Sequence, residues 1–441
     1  MSKIKKLLKK LFPEKLFLQY HLLKALLASA IYRHPTDKMI VIGITGTKGK
    51  TSVGNFLWSV LNENGLKTGL TGTANLRIGN EELLNKYHMT MPGPFILQKS
   101  FKQMLIAGCK YCIVETTSEG LKQYRHIGIS YDWVIFTNLT PEHLSSHHGS
   151  FEEYKKKKGE LFETLVNHHK TLGGREIKSL SIINNDDPHK DFFLNFSVNK
   201  KITYGLKLGA DVIATDINGS ANGVNFKIGD NDYTLNIVGG FNIYNALPAI
   251  IVGLEAGLSR QQIKIGLAKL TLIPGRMEKI NLGQNFTVIV DYAHEKESMT
   301  RAMETTEMIR GVGLGKIIVL LGAEGGGRDK AKRSQMGEIV GRRADYVVIS
   351  NVDPYEDDPI EIIEDIAKAT EQQGKIRGQN LFTIEDRRTG INKALSLAQP
   401  NDIVIITGKG AEQSIVIGGK SAPWDDRIVA REEILKVHPI K

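Results

Sequence analysis

The chain is poor in sulfur chemistry, with two cysteines in 441 residues, Cys109 and Cys112. A lone CxxC lacks the second cysteine pair, or the histidines at ligand spacing, that a structural zinc site requires. It lies within "CKYCIVE", where cysteine behaves as a small buried hydrophobe. No disulfide framework and no small-residue cleavage site are legible, so the expected compartment is a reducing cytoplasm. Long uninterrupted apolar runs are missing as well. Lys15, Gln19, His21 and Lys24 break up the N-terminal apolar stretch, which argues against a spanning helix. Low-complexity tracts and short repeats are absent. Aromatics make up only 7%, and no aromatic-rich basic motif stands out, so nucleic acid is not the expected partner.

What is present is a folded, soluble composition, 41% hydrophobic and 24% charged. The formal charge of +10 favours anionic partners such as phosphates, nucleotides or an anionic membrane surface. The length implies two or three domains. Residues 1–38 are expected to form a basic amphipathic extension. Lys3–Phe12 in particular read as an amphipathic helix, and two readings stay open: peripheral membrane contact through residues 1–32, or packing on the body of the protein.

From Met39 onward, short β-branched runs alternate with helical stretches. "MIVIGIT" (39–45), "KYCIVE" (110–115) and "DWVIFTNL" (132–139) read as buried strands of a parallel sheet. Residues 175–240 read differently, as shorter strands joined by turns. Pro-Gly in "LIPGRME" (272–278) reads as a linker, after which a second alternating series begins. The expected fold class is α/β: a P-loop-type, mainly parallel central domain over 39–272, and a Rossmann-like α/β domain over 273–441.

"GITGTKGKT" (43–51) stands between a strand and a helix, where a phosphate cradle belongs. Its glycines, Gly46 and Gly49, let backbone N–H groups converge on phosphate oxygens. Lys50 supplies charge and Thr51 a hydroxyl for Mg²⁺. The common GxxxxGK[ST] spacing is not met, because Ile44 stands at its first glycine. Parallel sheets bind ligands at the carboxyl ends of their strands. Glu115 and His143 both fall there and could share a magnesium site with Thr51, His143 being an unusual nitrogen ligand for so hard an ion.

The run Lys155–Lys158 can then be sorted. Phe151, Tyr154, Lys158, Leu161 and Leu165 recur at helical spacing, so Lys158 lies on the apolar face. Lys156 and Lys157 are expected in water, with Lys155 at the edge. A lysine in an apolar setting has a depressed pKa and a nucleophilic amine, which near a divalent metal can take up CO₂ as a carbamate. A snorkelling lysine without chemistry is the other reading.

Together these stretches resemble the Mur ligase family, from about Ile40 to Glu433. The resemblance rests on "GTKGKT", "ETTSEGL", "TNLTPEHLSSHHGSFEEYKKKKGELF", "NNDD", "FNIYNALPAI", "PGRMEKI", "VDYAH", "GRDKAKRSQMG", "DPYEDDP", "GKGAE" and "DDRIVARE". It implies an ATP-dependent acid–amino-acid ligase of peptidoglycan synthesis, similar to the branch that adds the third residue of the stem peptide. By that similarity an acyl phosphate forms on the acceptor, UDP-N-acetylmuramoyl-L-alanyl-D-glutamate, and the incoming amine displaces phosphate. ATP and Mg²⁺ are the implied cofactors, with carbamylated Lys158 standing fifteen residues beyond the magnesium-binding His143. The similarity places Gly46, Thr47, Lys48, Gly49, Lys50, Thr51 and Ser52 on the phosphates. It places Asn242 and Asn245 near adenine, and Arg276, Asp291 and His294 around ATP. Lys50, Lys158, His143 and Arg276 become the catalytic set, and Thr51, Glu115, His143 and Lys158 the metal set. Thr90, Ser118 and Arg125 fall to the acceptor, and Asp353, Tyr355, Gly408 and Glu412 to the substrates as well.

Three departures stand out. Only some 38 residues precede "MIVIGIT", where the family carries a uridine-binding domain, so the acceptor is either gripped weakly or presented by a lipid or a partner protein. The motif that ends in arginine in diaminopimelate-adding relatives reads Asp353-Pro354-Tyr355, which leaves lysine-like amino acids as open as diaminopimelate. Glu119 stands where relatives carry histidine. Two further readings remain: a folate-polyglutamating or lipid-linked-precursor ligase, and a P-loop ATPase of another class. The expected location is cytoplasmic or membrane-peripheral. Oligomeric state is not legible.

Overall fold

The structure is a computed structural model that describes residues 14–85, 87, 89–142, 144–220, 222–311, 313 and 315–438. His143 and the Lys3–Phe12 segment therefore lie outside the described residues. The chain divides into two compact units, residues 1–219 with 223–271, and residues 220–222 with 272–441.

The first unit opens with helix α1 (Glu14–Ile31) and builds a nine-stranded sheet among the described residues. Its strands are β1 (Ile40–Thr45), β2 (Thr68–Thr71), β3 (Asn75–Ile78), β4 (Glu81–Leu84), β5 (Tyr111–Glu115), β6 (Trp133–Phe136), β7 (Leu180–Asn184), β8 (Lys200–Gly205) and β9 (Val212–Ile213). They lie in the order β9-β8-β7-β6-β1-β5-β2-β3-β4. Strand β1, "IVIGIT", has no polar face because the sheet is covered on both sides, as its near-continuous burial shows. Its neighbours run parallel, with Ile44 opposite Glu115 and Thr45 opposite Phe136. Three strands therefore end at one level, and the phosphate loop, Glu115 and the Thr137–Asn138 turn emerge side by side.

The sequence reading of residues 175–240 needs correction over its first half. Strands β7 and β8 extend the main sheet in parallel, Trp133 pairing with Leu180 and Ile182 with Ile202. The Asn-Asp cluster after β7 turns the chain at the carboxyl end of a buried parallel strand. Asp187 Oδ2 there accepts the Leu139 amide at 2.8 Å and so braces the end of β6. Residues 215–235 form a separate three-stranded sheet, β10 (Thr215–Ser220), β11 (Gly223–Ile228) and β12 (Asn231–Leu235), with β11 and β12 antiparallel.

Helices α2 (Lys50–Asn62), α3 (Pro94–Ile106), α4 (Phe151–Glu163), α5 (Asn242–Glu255) and α6 (Arg260–Lys269) cover the first unit. Helix α4 starts at Ser150, whose side chain accepts the Glu153 amide, and Glu152 and Glu153 in its first turn suit the positive end of the helix dipole. Its apolar stripe delivers Tyr154, Leu161 and Phe162 to the cluster that holds Phe136, Leu139 and Phe193.

In the second unit β13 (Glu278–Ile280), β14 (Thr287–Asp291), β15 (Ile317–Leu321), β16 (Tyr346–Ile349), β17 (Leu381–Thr383) and β18 (Ile403–Thr407) form a sheet in the order β13-β14-β18-β15-β16-β17. Only β13 runs antiparallel to its neighbour. Runs such as "IIVLL" and "IVIIT" are wholly buried because helices flank the sheet. Asp291 closes β14 and Thr407 closes β18, in register with each other. The α/β class and the pairing of a large, mainly parallel sheet with a second sheet unit are as expected from the sequence.

Candidate active site

In the first unit the loop after β1 is held open by glycine geometry. Gly46 and Gly49 take φ of 146° and 87°, a left-handed region that favours glycine. A Cβ on Gly46 would overlap Thr137 Oγ1, and one on Gly49 would stand 2.6 Å from Asn245 Oδ1. The loop is fastened from behind: Asn138 Oδ1 accepts the Lys48 amide at 2.9 Å, and Thr137 Oγ1 donates to the Lys48 carbonyl at 2.7 Å. Lys48 pairs with Glu142 at 2.8 Å. Lys50 Nζ curls back to the carbonyls of Gly46 (2.8 Å) and Thr47 (3.0 Å). Thr51 and Ser52 open α2, so their amides point from a helix start with the dipole behind them. A glycine cradle, a lysine and a helix N-terminus fit a nucleotide's phosphates.

Glu115 is fully buried at the end of β5. It accepts from Thr51 Oγ1 at 3.1 Å, the Thr73 amide at 3.1 Å and Thr73 Oγ1 at 3.0 Å. The structure thus joins Thr51 and Glu115, as their placement at strand ends implied. A carboxylate and a hydroxyl are hard oxygen donors suited to Mg²⁺. Among the described residues no group of three or more His, Cys, Asp or Glu forms a metal cage of its own. Thr90 Oγ1 contacts Thr73 Oγ1 at 2.9 Å, which ties it to the same cluster. Ser118 meets His147 Nε2 at 3.0 Å, and burial lowers the pKa of that imidazole. Arg125 bonds the Met91 carbonyl and Gln123. Glu119 pairs with Gln123 in turn. Asn245 donates to Asn242 Oδ1 at 2.9 Å, so the two asparagines form one buried unit against Gly49.

Lys158 is 2% exposed. Its Nζ donates to the Gly46 carbonyl at 2.9 Å and lies 4.5 Å from the centre of the Tyr154 ring. Among the described residues it has no carboxylate partner. Burial, then the Lys50 charge, holds its pKa well below the usual lysine value. Burial thus favours the neutral amine over the ammonium, and the amine is aimed at the phosphate loop. The rest of the run is only partly as expected. Lys156 is exposed, but Lys157 is half-buried because it bonds Glu160 one turn on.

The second unit gathers the remaining candidates. Asp291 is buried, and its carboxylate accepts the Met277 amide at 2.7 Å and the Ala293 amide at 2.8 Å. Burial raises its pKa despite the Arg276 charge. Arg276 stacks on Tyr292, its guanidinium carbon 4.3 Å from the ring centre, and His294 Nδ1 meets the Tyr292 carbonyl at 2.6 Å. Tyr292 donates to Glu412 at 3.0 Å. Lys409, fully buried, bonds Asp353 at 2.6 Å and Glu412 at 2.5 Å. Asp353 also accepts the Val416 amide. Tyr355 has φ of 55°, and Gly408 one of 112° that packs it against Val352. Sequence reasoning missed Lys409, Thr73 and Asn138 as members of these networks. Lys409 and Asn138 lie inside quoted motifs, so proximity to a motif was the available signal.

Two family profiles match the chain: the Mur ligase middle domain over residues 44–253, and the Mur ligase glutamate ligase domain over residues 275–410. A UDP-N-acetylmuramyl-tripeptide synthetase of Roseiflexus sp. (strain RS-1) is 36% identical over 93% of this chain and 81% of its own length. The chain belongs to the Mur ligase family. This Mur ligase is also 36% identical to a UDP-N-acetylmuramoyl-L-alanyl-D-glutamate--2,6-diaminopimelate ligase of Geobacillus kaustophilus (strain HTA426), over 93% of this chain and 82% of that one. A solved structure of a ligase of that name superposes with a TM-score of 0.60 at 27% identity, covering 91% of this chain and 79% of the other. Folylpolyglutamate synthase of Mycobacterium tuberculosis shares the fold, with a TM-score of 0.69 at 16% identity over 95% and 96% of the two chains. This Mur ligase is an ATP-dependent, amide-bond-forming enzyme. Among the described residues, no helix is long and apolar enough to cross a membrane.

Proposed function

We propose that this Mur ligase joins an amino acid, diaminopimelate or a lysine-like one, to the D-glutamate carboxylate of UDP-N-acetylmuramoyl-L-alanyl-D-glutamate in peptidoglycan synthesis. The observation that carries the reading is the buried Lys158 amine, 2.9 Å from the Gly46 carbonyl of a phosphate loop whose Thr51 meets Glu115. When bound, MgATP supplies the phosphoryl group that turns the acceptor carboxylate into an acyl phosphate.

The residues then divide the work. Gly46 to Ser52 cradle phosphate through backbone N–H groups, and Lys50 offsets the repulsion between two anions. Thr51, Glu115 and, by the family resemblance, His143 would hold magnesium. The Lys158 amine adds to CO₂: one N–C bond forms, one proton leaves, and an anionic carbamate stands where an ammonium would have no counterion. That anion would make Lys158 a ligand for the metal. Asn242 and Asn245 serve the adenine; Arg276, Asp291 and His294 serve the nucleotide. Thr90, Ser118 and Arg125 serve the acceptor. Glu412, held between Tyr292 and Lys409, takes the incoming amine, with Asp353, Tyr355 and Gly408 around it. The amine attacks the acyl carbon, phosphate leaves, and a proton is lost.

The test is phosphate release from ATP with UDP-muramoyl dipeptide, scanned across amino acids. Stimulation by diaminopimelate or lysine is expected. If none of the amino acids stimulates release, this acceptor is wrong.

A further inference from the structure

Helix α1 turns two unlike faces outward and inward. Ala25, Ala28 and Ser29 are fully buried against the first unit, and Ser29 Oγ donates to the Gly128 carbonyl at 3.4 Å. The other side carries Leu16, Tyr20, Leu23, Leu26, Leu27 and Ile31, each at least half exposed and Leu23 67% so. Most follow one another three or four residues apart, the spacing of a single helical stripe. Single exposed leucines are ordinary, but six large apolar side chains on one short helix form a contiguous patch that marks a docking surface. Gln19 is the one polar side chain exposed among residues 16–31.

Charge identifies the occupant. Residues 1–31 carry seven lysines (Lys3, Lys5, Lys6, Lys9, Lys10, Lys15 and Lys24) against a single acid, Glu14. Lys24 Nζ sits 5.2 Å from the Tyr20 ring, so the patch is edged by an aromatic–lysine pair of the kind that favours a water–lipid boundary. An apolar helix face joined in sequence to a lysine-rich, acid-poor segment is the signature of a helix that lies in a bilayer interface. We propose that α1 docks this Mur ligase, by its exposed leucine face and its lysines, on the surface of an anionic lipid bilayer. It lies in the headgroup plane and does not span. A second copy of the chain fits less well, because two such helices packed side by side in parallel would bring two lysine-rich segments together. The proposal is independent of which acceptor the enzyme uses.

Vesicle flotation with the full chain tests this. Vesicles of phosphatidylcholine alone are compared with vesicles containing phosphatidylglycerol, at low and high salt. Binding to the anionic vesicles alone is expected, and it should weaken as salt rises. The exposed double variant Leu23→Glu/Leu27→Glu should lower partition at least roughly tenfold. Gln at Lys3, Lys5, Lys6, Lys9 and Lys10 should do the same. Both variants should keep the wild-type thermal transition. A tryptophan at position 23 (Leu23→Trp) should be quenched by brominated acyl chains. Equal binding to neutral vesicles, or no loss in the glutamate variant, would overturn the proposal. So would an unquenched tryptophan, or a lipid-free dimer that the glutamate variant dissolves.

Discussion

Each of the two units buries a lysine beside its candidate site, and the pKa values of the two are pushed in opposite directions. Lys409 is clasped by Asp353 and Glu412, and although burial opposes its charge, the two carboxylates raise its pKa. Lys158 meets a carbonyl oxygen and an aromatic ring, and burial lowers its pKa. The first environment favours an ammonium that bridges two acids; the second favours the neutral amine. Burial alone does not decide which. The counterion does, because an unpaired buried charge neutralises sooner than it persists.

Substitutions can break this contrast. The largest effect is expected for Lys158→Ala: loss of one preorganised electrostatic partner costs about 10²–10³ in turnover. Small carboxylic acids added to the assay should restore part of it by filling the carbamate's place, and steady-state phosphate release reads both results. Full activity in the alanine variant would remove the carbamate from the reading.

Lys409→Met comes next. It removes the cation that the buried Asp353 and the partly buried Glu412 share, so the second unit should lose about 3–5 kcal/mol in urea unfolding. The same methionine at position 158 should cost far less, since no anion is stranded there. Tyr154→Phe removes the hydroxyl that meets Thr47 Oγ1 at 3.1 Å. A loss of about 1 kcal/mol is expected, with the Lys158 environment retained.

The smallest effect sharpens the contrast through pH. For Lys158 the folded state binds fewer protons than the unfolded state between its lowered pKa and the ordinary lysine value. Wild-type stability should therefore rise with pH across that window relative to Lys158→Met. For Lys409 the sign reverses. Its contribution is complete below the ordinary lysine value and is lost as pH climbs through its raised folded pKa. Urea titrations of the two methionine variants against wild type, in CO₂-free buffers, measure both slopes.

What was legible in the chain follows from range. The inward turn of Lys158 could be read because its partners on the stripe lie within a few residues along one helix. Thr51 and Glu115 could be paired because parallel strands bring their carboxyl ends to one edge. Residues 175–205 were not recognised as part of the main sheet because strand pairing is a long-range contact that local composition does not carry. The pairing of Lys409 with Asp353 spans 56 positions and two different loops, so no local pattern carried it. The half-buried state of Lys157 goes with its i,i+3 pairing to Glu160 on the same helix, a local contact that the reading of the apolar stripe passed over.

The Gly128 carbonyl has a practical consequence for anyone trimming this gene. It accepts from Gln98 at 2.9 Å and from Ser29 and Thr36 at 3.4 Å, while Thr36 Oγ1 accepts the Ser130 amide and the Thr36 carbonyl accepts Lys170. Cutting at Met39, where the alternating pattern begins, would excise two of those three donors. It would also loosen the turn that follows Arg125. A shortened enzyme should start ahead of α1, with the leucine face made polar rather than deleted.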